Sequence, residues 1–260
     1  MLPIALTIAG SDPSGGAGIQ ADLKTFHQFC VYGEAVVTLL TVQNTCGVMR
    51  IETVSPDLVG QQLSAILSDI PPQAAKTGAL GNAGIIEAIA EQAASFDFPL
   101  IVDPVLAGKN GRRLLSPNAE EALKRKLLPH ALLLTPNIPE AEALTGLTIA
   151  DEAGMREAAK RMLDFGCQAV LIKGGHRAGS ALDVLADRDG IALFDGKRID
   201  TRHTHGTGCT YSAAVTAGLA LGQDLREAVG RAKSFLQAAI ETAPELGQGQ
   251  GPLNHFARTR

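Results

Sequence analysis

Apolar positions along this chain fall into short continuous runs and longer stretches that repeat every three to four residues, and the two kinds alternate. The short runs predict strands at 4–9, 35–40, 74–77, 100–102, 131–135 and 169–172, with an alternating edge strand at 48–53. The longer stretches predict helices at 19–29, 55–68, 82–96, 116–127, 139–145, 151–165, 207–221 and 225–242. Ser55-Pro56 and Ser116-Pro117 each read as an N-cap followed by proline at the first helical position, where a missing N–H costs nothing. Residues 181–187 and 191–194 read as a hairpin around Asp189-Gly190. Strands that are apolar throughout are buried on both faces. The expected fold is therefore α/β, a mostly parallel central sheet with helices on both faces. No composition shift marks a boundary, so residues 1–260 are read as one domain, least regular at 107–113 and 246–252.

Composition narrows the picture. Of 260 residues, 45% are hydrophobic and 19% charged, but aromatics reach only 4% and there is no tryptophan. The core must be built from Ala, Leu, Ile and Val. A net charge of −4 gives no reason to expect nucleic acid or an acidic membrane surface as partner. Cys30, Cys46, Cys167 and Cys209 form no CxxC pair, so reduced thiols in the cytoplasm are expected rather than a zinc site or redox pair. Residues 1–9 carry no basic side chain and read as a strand, not a signal peptide. No apolar run approaches the roughly 20 residues of a membrane span. Glycine is in excess, with 28 residues against an average of roughly 7% of a chain.

In a sheet of this kind ligands bind beyond the carboxyl ends of the strands, so the loops after strands carry the chemistry. The loop Gly10-Ser-Asp-Pro-Ser-Gly-Gly-Ala-Gly18 contains a GxGxxA pattern, but the next strand ends in Thr41-Val-Gln43-Asn44 with no acid for a ribose, so a dinucleotide site does not fit. What remains is backbone able to approach a ligand closely, or a plain tight turn. Lys173-Gly-Gly175-His176 places a lysine where it leaves a strand, able to meet an anion as a point charge. His176 is either a ligand contact or a solvated loop histidine. His205-Gly206-Thr207-Gly208-Cys209 opens a helix, and its glycines allow a nest of N–H groups for a phosphate. Cys209 in the first turn is expected to have a lowered thiol pKa; the alternative is an inert packed cysteine. Glu140 and Glu142 follow a strand end and could hold Mg²⁺ together with Asp103, or be acids favoured by the helix dipole alone. There is no GxxxxGK[ST], HExxH, GxSxG or protein-kinase set. Cation candidates, anion nests, a lysine and a thiol together suggest phosphoryl transfer without a P-loop.

These residues carry a resemblance that covers essentially the whole chain. The segments 9–26, Thr41-Val-Gln-Asn-Thr45, Ala75-Lys-Thr-Gly-Ala-Leu80, Val102-Asp-Pro-Val105, Thr135-Pro-Asn137 with Glu140 and Glu142, Lys173-Gly-Gly-His176, Thr204-His-Gly-Thr-Gly-Cys-Thr210 and the tail 247–256 resemble the ribokinase-like superfamily. Within it, the chain looks like the bacterial hydroxymethylpyrimidine/phosphomethylpyrimidine kinases of thiamine biosynthesis. The resemblance implies ATP, Mg²⁺ and two successive phosphorylations of a pyrimidine, first to the monophosphate and then to the diphosphate. It implies Gln43, Gly10, Asp22 and Val105 at the pyrimidine, and Lys173, Gly175, His176 and Thr207 at ATP. It implies an anion hole of Gly206, Thr207 and Gly208 with Cys209 as the base, where sugar kinases carry aspartate. A carboxamide suits an aminopyrimidine because it offers an acceptor beside a donor. Ala79 and the stretch 106–110 depart mildly from the family pattern. A homodimer is implied as well. Pyridoxal kinase is the nearest rival reading, and a non-catalytic pyrimidine- or ATP-binding regulator is a rival of another class.

Overall fold

Alternating side chains on the central strands feed two separate apolar layers, and a sheet with a core on each side is the result. The computed structural model describes residues 2–108, 114–175 and 181–258. The strands are β1 (Ile4–Ser11), β2 (Tyr32–Asn44), β3 (Gly47–Thr53), β4 (Ala74–Thr77), β5 (Leu100–Val102), β6 (Leu133–Leu134), β7 (Ala169–Ile172), β8 (Asp183–Asp187) and β9 (Gly190–Phe194). They form one nine-stranded sheet in the order β3-β2-β1-β4-β5-β6-β7-β8-β9. The interior from β2 to β7 is parallel, while β3, β8 and β9 are antiparallel additions at the two edges. On β7, Val170 and Ile172 point into one core while Ala169 and Leu171 point into the other. Period two with no polar face is what a sheet covered twice requires.

One face carries α2 (Pro56–Asp69), α3 (Ala83–Ala93), α4 (Pro117–Ala122), α5 (Ile138–Thr145) and α6 (Glu152–Leu163); the other carries α1 (Gly18–Gln28), α7 (Thr207–Ala220) and α8 (Leu225–Glu241). Ser55 caps α2 as its sequence suggests, accepting from the Leu58 N–H. Ser116 stands at the N-cap of α4 but makes no side-chain cap bond. The helix expected to 127 changes form on the way: α4 gives way to a π turn, Leu123–Leu127, and then a 3-10 turn, Leu128–His130, where Pro129 has no N–H to continue an α-helix.

Two elements do most to shape the carboxyl end of the sheet. α7 is buried nearly all round, and its Ala, Ser, Thr and Gly side chains let it lie close against β1, β4 and β5. β2 runs past the apolar stretch 35–40 through Thr41–Asn44, where it pairs with β3 as a hairpin.

Candidate active site

All six parallel strands end on the same side of the molecule, and the N-terminus of α7 comes down onto those ends. Gly206 is its N-cap, in the left-handed region at φ 81°. A Cβ there would also collide with the Gly16 carbonyl, so both the conformation and the space demand glycine. Thr210 N–H closes the first turn on the Gly206 carbonyl at 2.8 Å. Thr207 is held at the helix start: its hydroxyl and its N–H both donate to the Thr204 carbonyl. The N–H groups of Gly208 and Cys209 stand at the open end of the helix, where no preceding helical carbonyl reaches them.

Two lysine–aspartate pairs lie beneath this helix end. Lys173, just past β7, meets Asp103, just past β5, at 2.9 Å. Thr135 donates to the same carboxylate oxygen at 3.0 Å, and Ser212 of α7 reaches the other at 3.4 Å. A side chain at position 208 would begin 3.4 Å from the Lys173 ammonium and 3.6 Å from Asp103, so this pair faces the helix end directly. Burial works against charge on Lys173, but Asp103 and Glu140 outweigh it and hold the ammonium above the usual lysine range. The second pair, Lys76 on β4 and Asp22 on α1, closes at 2.8 Å with no exposed surface on either side chain. Thr7 donates to Asp22 at 2.6 Å, while the other carboxylate oxygen has no partner. Burial pushes the Asp22 carboxyl up, and Asp22 in turn keeps the proton on Lys76.

The first loop is gathered on Asp12. Its carboxylate accepts from Ser14 N–H (2.8 Å) and hydroxyl (2.7 Å), from Gly16 and Ala17 N–H (3.2 and 2.8 Å), and from the His205 ring at 2.7 Å. Burial would raise this carboxyl, but His205, Gln43 and Ser14 prevail and hold it well below the usual carboxylate range. The register of β2 on β3 shifts between Val42 and Gln43, a bulge at the cleft-side end of the strand. The chain's tail closes the same side. Gly249 and Gln250 N–H groups donate to Thr45, and the Gly251 carbonyl accepts from His205 N–H.

The expected site residues are thus largely brought together, with several changes of role. Gly10, Gln43, Lys173, Gly206, Gly208, Cys209 and Asp103 lie on the cleft side, at strand ends or the start of α7. Cys209 is placed as expected, but the lowered thiol is not found: burial pushes it up to about 12, with Asp22 and Asp103 adding to burial against Lys76. Asp22 is sealed beneath the cleft rather than lining it. Glu140 is a buried capping-box residue of α5, accepting from Asn137 N–H at 2.9 Å; burial and Asp103 raise it to about 7 against the pull of Lys173. Glu142 has another partner, the Ile149 N–H at 2.7 Å, which ties down the connection to α6. Gly175 is exposed in the turn after Lys173, and His176 lies outside the described residues. Val105 carries φ 28°, unusual for a β-branched residue and typical of strained positions at functional sites.

Lys76, Asp12 and His205 escaped a role in the sequence reading. Lys76 had a readable signal, since a lysine inside an otherwise apolar strand must find a buried acid. Asp12 and His205, 193 positions apart, had none.

Among the described residues, no three His, Cys, Asp or Glu side chains converge as a ready metal centre. The donor set near Lys173 is Asp103 and Glu140, hard oxygens suited to a Mg²⁺ that takes its remaining ligands from phosphate and water. Burial first, and Asp103 after it, raise the Glu140 carboxyl, and a cation bound beside the two acids would favour its ionised form.

The family model of phosphomethylpyrimidine kinase matches residues 12–254. A Rhizobium meliloti hydroxymethylpyrimidine/phosphomethylpyrimidine kinase is 49% identical, over 99% of this chain and 98% of that one. The thiamine biosynthesis bifunctional protein ThiED of Geobacter sulfurreducens is 50% identical over 96% of this chain, which spans about half of that longer protein, 52%. Among solved structures, a Bacillus subtilis pyridoxal kinase in complex with ADP superposes with a TM-score of 0.92 at 40% identity, covering 99% of this chain and 98% of that one.

Proposed function

The chain belongs to the phosphomethylpyrimidine kinase family, and on that premise we propose that the cleft at the start of α7 transfers the γ-phosphoryl group of ATP to 4-amino-5-hydroxymethyl-2-methylpyrimidine, and then a second phosphoryl group to the monophosphate, in thiamine biosynthesis. The observation that carries the reading is the approach of the Lys173–Asp103 pair to Gly208 at the open helix end. A cation and two free N–H groups converge where negative charge would gather.

In the first step the hydroxymethyl oxygen bonds to the γ-phosphorus as the bond to the β-phosphate oxygen breaks, and ADP leaves. Such transition states are loose, so positioning and charge stabilisation dominate. The Gly208 and Cys209 N–H groups face the charge on the transferring group. Lys173 leaves Asp103 for a phosphate oxygen. Asp103 and Glu140 would hold a Mg²⁺ ion, which would supply positive charge against the ATP phosphates. Cys209, with its thiol raised to about 12, orients the hydroxymethyl group, and the hydroxyl proton passes to the product phosphate as the new bond completes. Gln43 faces the aminopyrimidine edge.

Pyridoxal kinase activity is the second reading, favoured by the close likeness to the Bacillus subtilis enzyme. Turnover of hydroxymethylpyrimidine and pyridoxal with ATP, measured side by side with product identified by mass, tests both. Preference for the pyrimidine with mono- and diphosphate formed in sequence is expected. A preference for pyridoxal would reverse the assignment, and no ADP release with either would support a binding protein instead.

We place the protein in the cytoplasm as a homodimer. No helix among the described residues is long and apolar enough to cross a membrane, and two of the four cysteines are exposed thiols, which suit a reducing compartment. Leu40 and Val42, 53% and 52% exposed on one face of the β2–β3 hairpin, offer an apolar surface for a second copy. Sedimentation of the protein and of L40D tests this; a dimer unaffected by the substitution would move the interface elsewhere.

A further inference from the structure

We propose that Asp183 is a positioning residue for phosphoryl transfer: it holds the backbone at the base of Lys173 in a fixed place relative to the start of α7, so that the lysine and the helix N–H groups meet the same phosphate. The inference rests on the reading of Lys173 and the α7 start as the phosphate site.

Lys173 and the Gly208 and Cys209 N–H groups belong to different elements. α7 packs on β1, β4 and β5, whereas Lys173 follows β7. A lysine head rides on a flexible four-carbon stem, so its aim depends on how firmly the backbone beneath it is held. The Lys173 N–H donates to the Pro136 carbonyl at 2.9 Å, and the N–H of the next residue, Gly174, donates to Asp183 at 2.8 Å. A Cβ on Gly174 would run into the Leu182 carbonyl, so the turn is pressed against the segment that carries Asp183. Ile172 pairs with Val184 at the end of the β7–β8 ladder, which sets Asp183 beside the point where the chain leaves β7.

The other Asp183 oxygen faces the helices. It accepts from the Tyr211 hydroxyl of α7 at 3.0 Å and from the Lys233 ammonium of α8 at 2.7 Å, and Lys233 also donates to the Ala181 carbonyl. The Gly174 N–H and the ammonium can only donate, so both carboxylate oxygens act as acceptors. Asp183 is 1% exposed and Tyr211 2%, which keeps water from competing for these bonds. Tyr211 follows Gly208 by three residues on the same helix. One carboxylate thus joins the Lys173 turn to the helix whose N-terminus faces the phosphate. A second link runs from Lys173 through Asp103 to Ser212, but it opens when Lys173 turns to a phosphate oxygen. The link through Asp183 does not involve the lysine head and persists through that exchange.

The test is a double-mutant cycle with the wild type, Y211F, K173Q and K173Q/Y211F, assayed for ATP-dependent phosphorylation of hydroxymethylpyrimidine, with melting temperature measured alongside. Y211F keeps the ring and the Gly174 and Lys233 bonds and removes the tie to α7. It is expected to lower kcat/KM for ATP about tenfold, less than the roughly 10²-fold that a misplacement of about 1 Å can cost, with KM for the pyrimidine unchanged. K173Q/Y211F should be no less active than K173Q, because a lysine that is absent needs no aiming, while the two losses of melting temperature add. Activity losses that multiply, or a Y211F enzyme with wild-type kcat/KM, would overturn the proposal while leaving Lys173 at the phosphate. A K173Q enzyme with unchanged kcat/KM would instead overturn the Lys173 reading itself, and the proposal with it. Should Y211F not fold, D183N, whose carbonyl still accepts from Gly174 while its NH₂ cannot accept from Tyr211 or Lys233, is judged by the same criteria.

Discussion

Lys76 and Asp22 close to 2.8 Å with neither side chain exposed, whereas Lys173 and Asp103 close to 2.9 Å with 12% and 3% of their side chains open to the cleft. The two pairs lie under the same helix end and share the same residue types. Their surroundings separate them. Asp22 has only Thr7 besides its lysine and leaves one oxygen without a partner, so removing Lys76 would strand a charge in the interior. Asp103 keeps Thr135 and Ser212 if its lysine departs. A pair backed by neutral donors and open at one side can exchange its cation for an incoming ligand. A sealed pair can only set the potential around it. Lys76 is therefore fixed charge beneath the cleft and Lys173 the mobile partner.

The largest expected effect comes from the sealed pair. K76M should cost about 3–5 kcal/mol, the range for breaking a buried ion pair, read as a melting temperature lower by roughly 10 °C. K76M/D22N should recover much of that loss, and failure to do so would mean that the lysine stem rather than the charge matters. K173Q should behave in the opposite way, with a smaller loss of stability but kcat/KM for ATP lower by about 10²–10³-fold, comparable to losing one oxyanion-hole donor. If K173Q proved the less stable protein with near-normal turnover, the roles of the two pairs would be reversed.

Cys209 lies between the pairs and senses both. With its thiol raised to about 12, alkylation by iodoacetamide at pH 7–9 should label exposed Cys30 first and Cys209 slowly, followed by peptide mass spectrometry. Rapid labelling of Cys209 would restore a thiolate and with it a general base. C209S should lower turnover of the hydroxymethyl substrate by about 10²-fold and affect the second phosphorylation less, because a phosphate acceptor has no hydroxymethyl group to orient.

The smallest effect concerns Glu140. Its carboxyl is raised from 4.5 to about 7, so the folded state binds its proton more tightly than the unfolded chain does. Stability from this group is full below about 4.5 and is lost as pH rises through about 7. E140Q should flatten the decline of melting temperature over that window. Glu34, also raised to about 7, leaves a residual slope in the variant.

Much of this was legible in the sequence because it depends on local rules. The apolar strands, the Ser55 and Asn82 helix starts and the glycine at position 206 each follow from period, capping or backbone freedom within a few residues. What escaped is what depends on residues far apart. The shift of register on β3 between Val42 and Gln43 leaves no mark in the sequence of β2 itself. The high thiol pKa of Cys209 comes first from burial and then from Asp22 and Asp103, which lie far from it in sequence. Glu142 reads like Glu140 in sequence, and only the returning chain at Ile149 gives it a different partner.

The exchange of one lysine and not the other can be observed directly. With ¹⁵N-labelled lysine, the Nζ resonances of Lys173 and Lys76, assigned through K173R and K76R, are followed as Mg²⁺ and a non-hydrolysable ATP analogue are added. Movement of the Lys173 signal with the Lys76 signal unchanged is the predicted result. A Lys173 signal that stays in place at saturating nucleotide, or a Lys76 signal that moves in its stead, would contradict it.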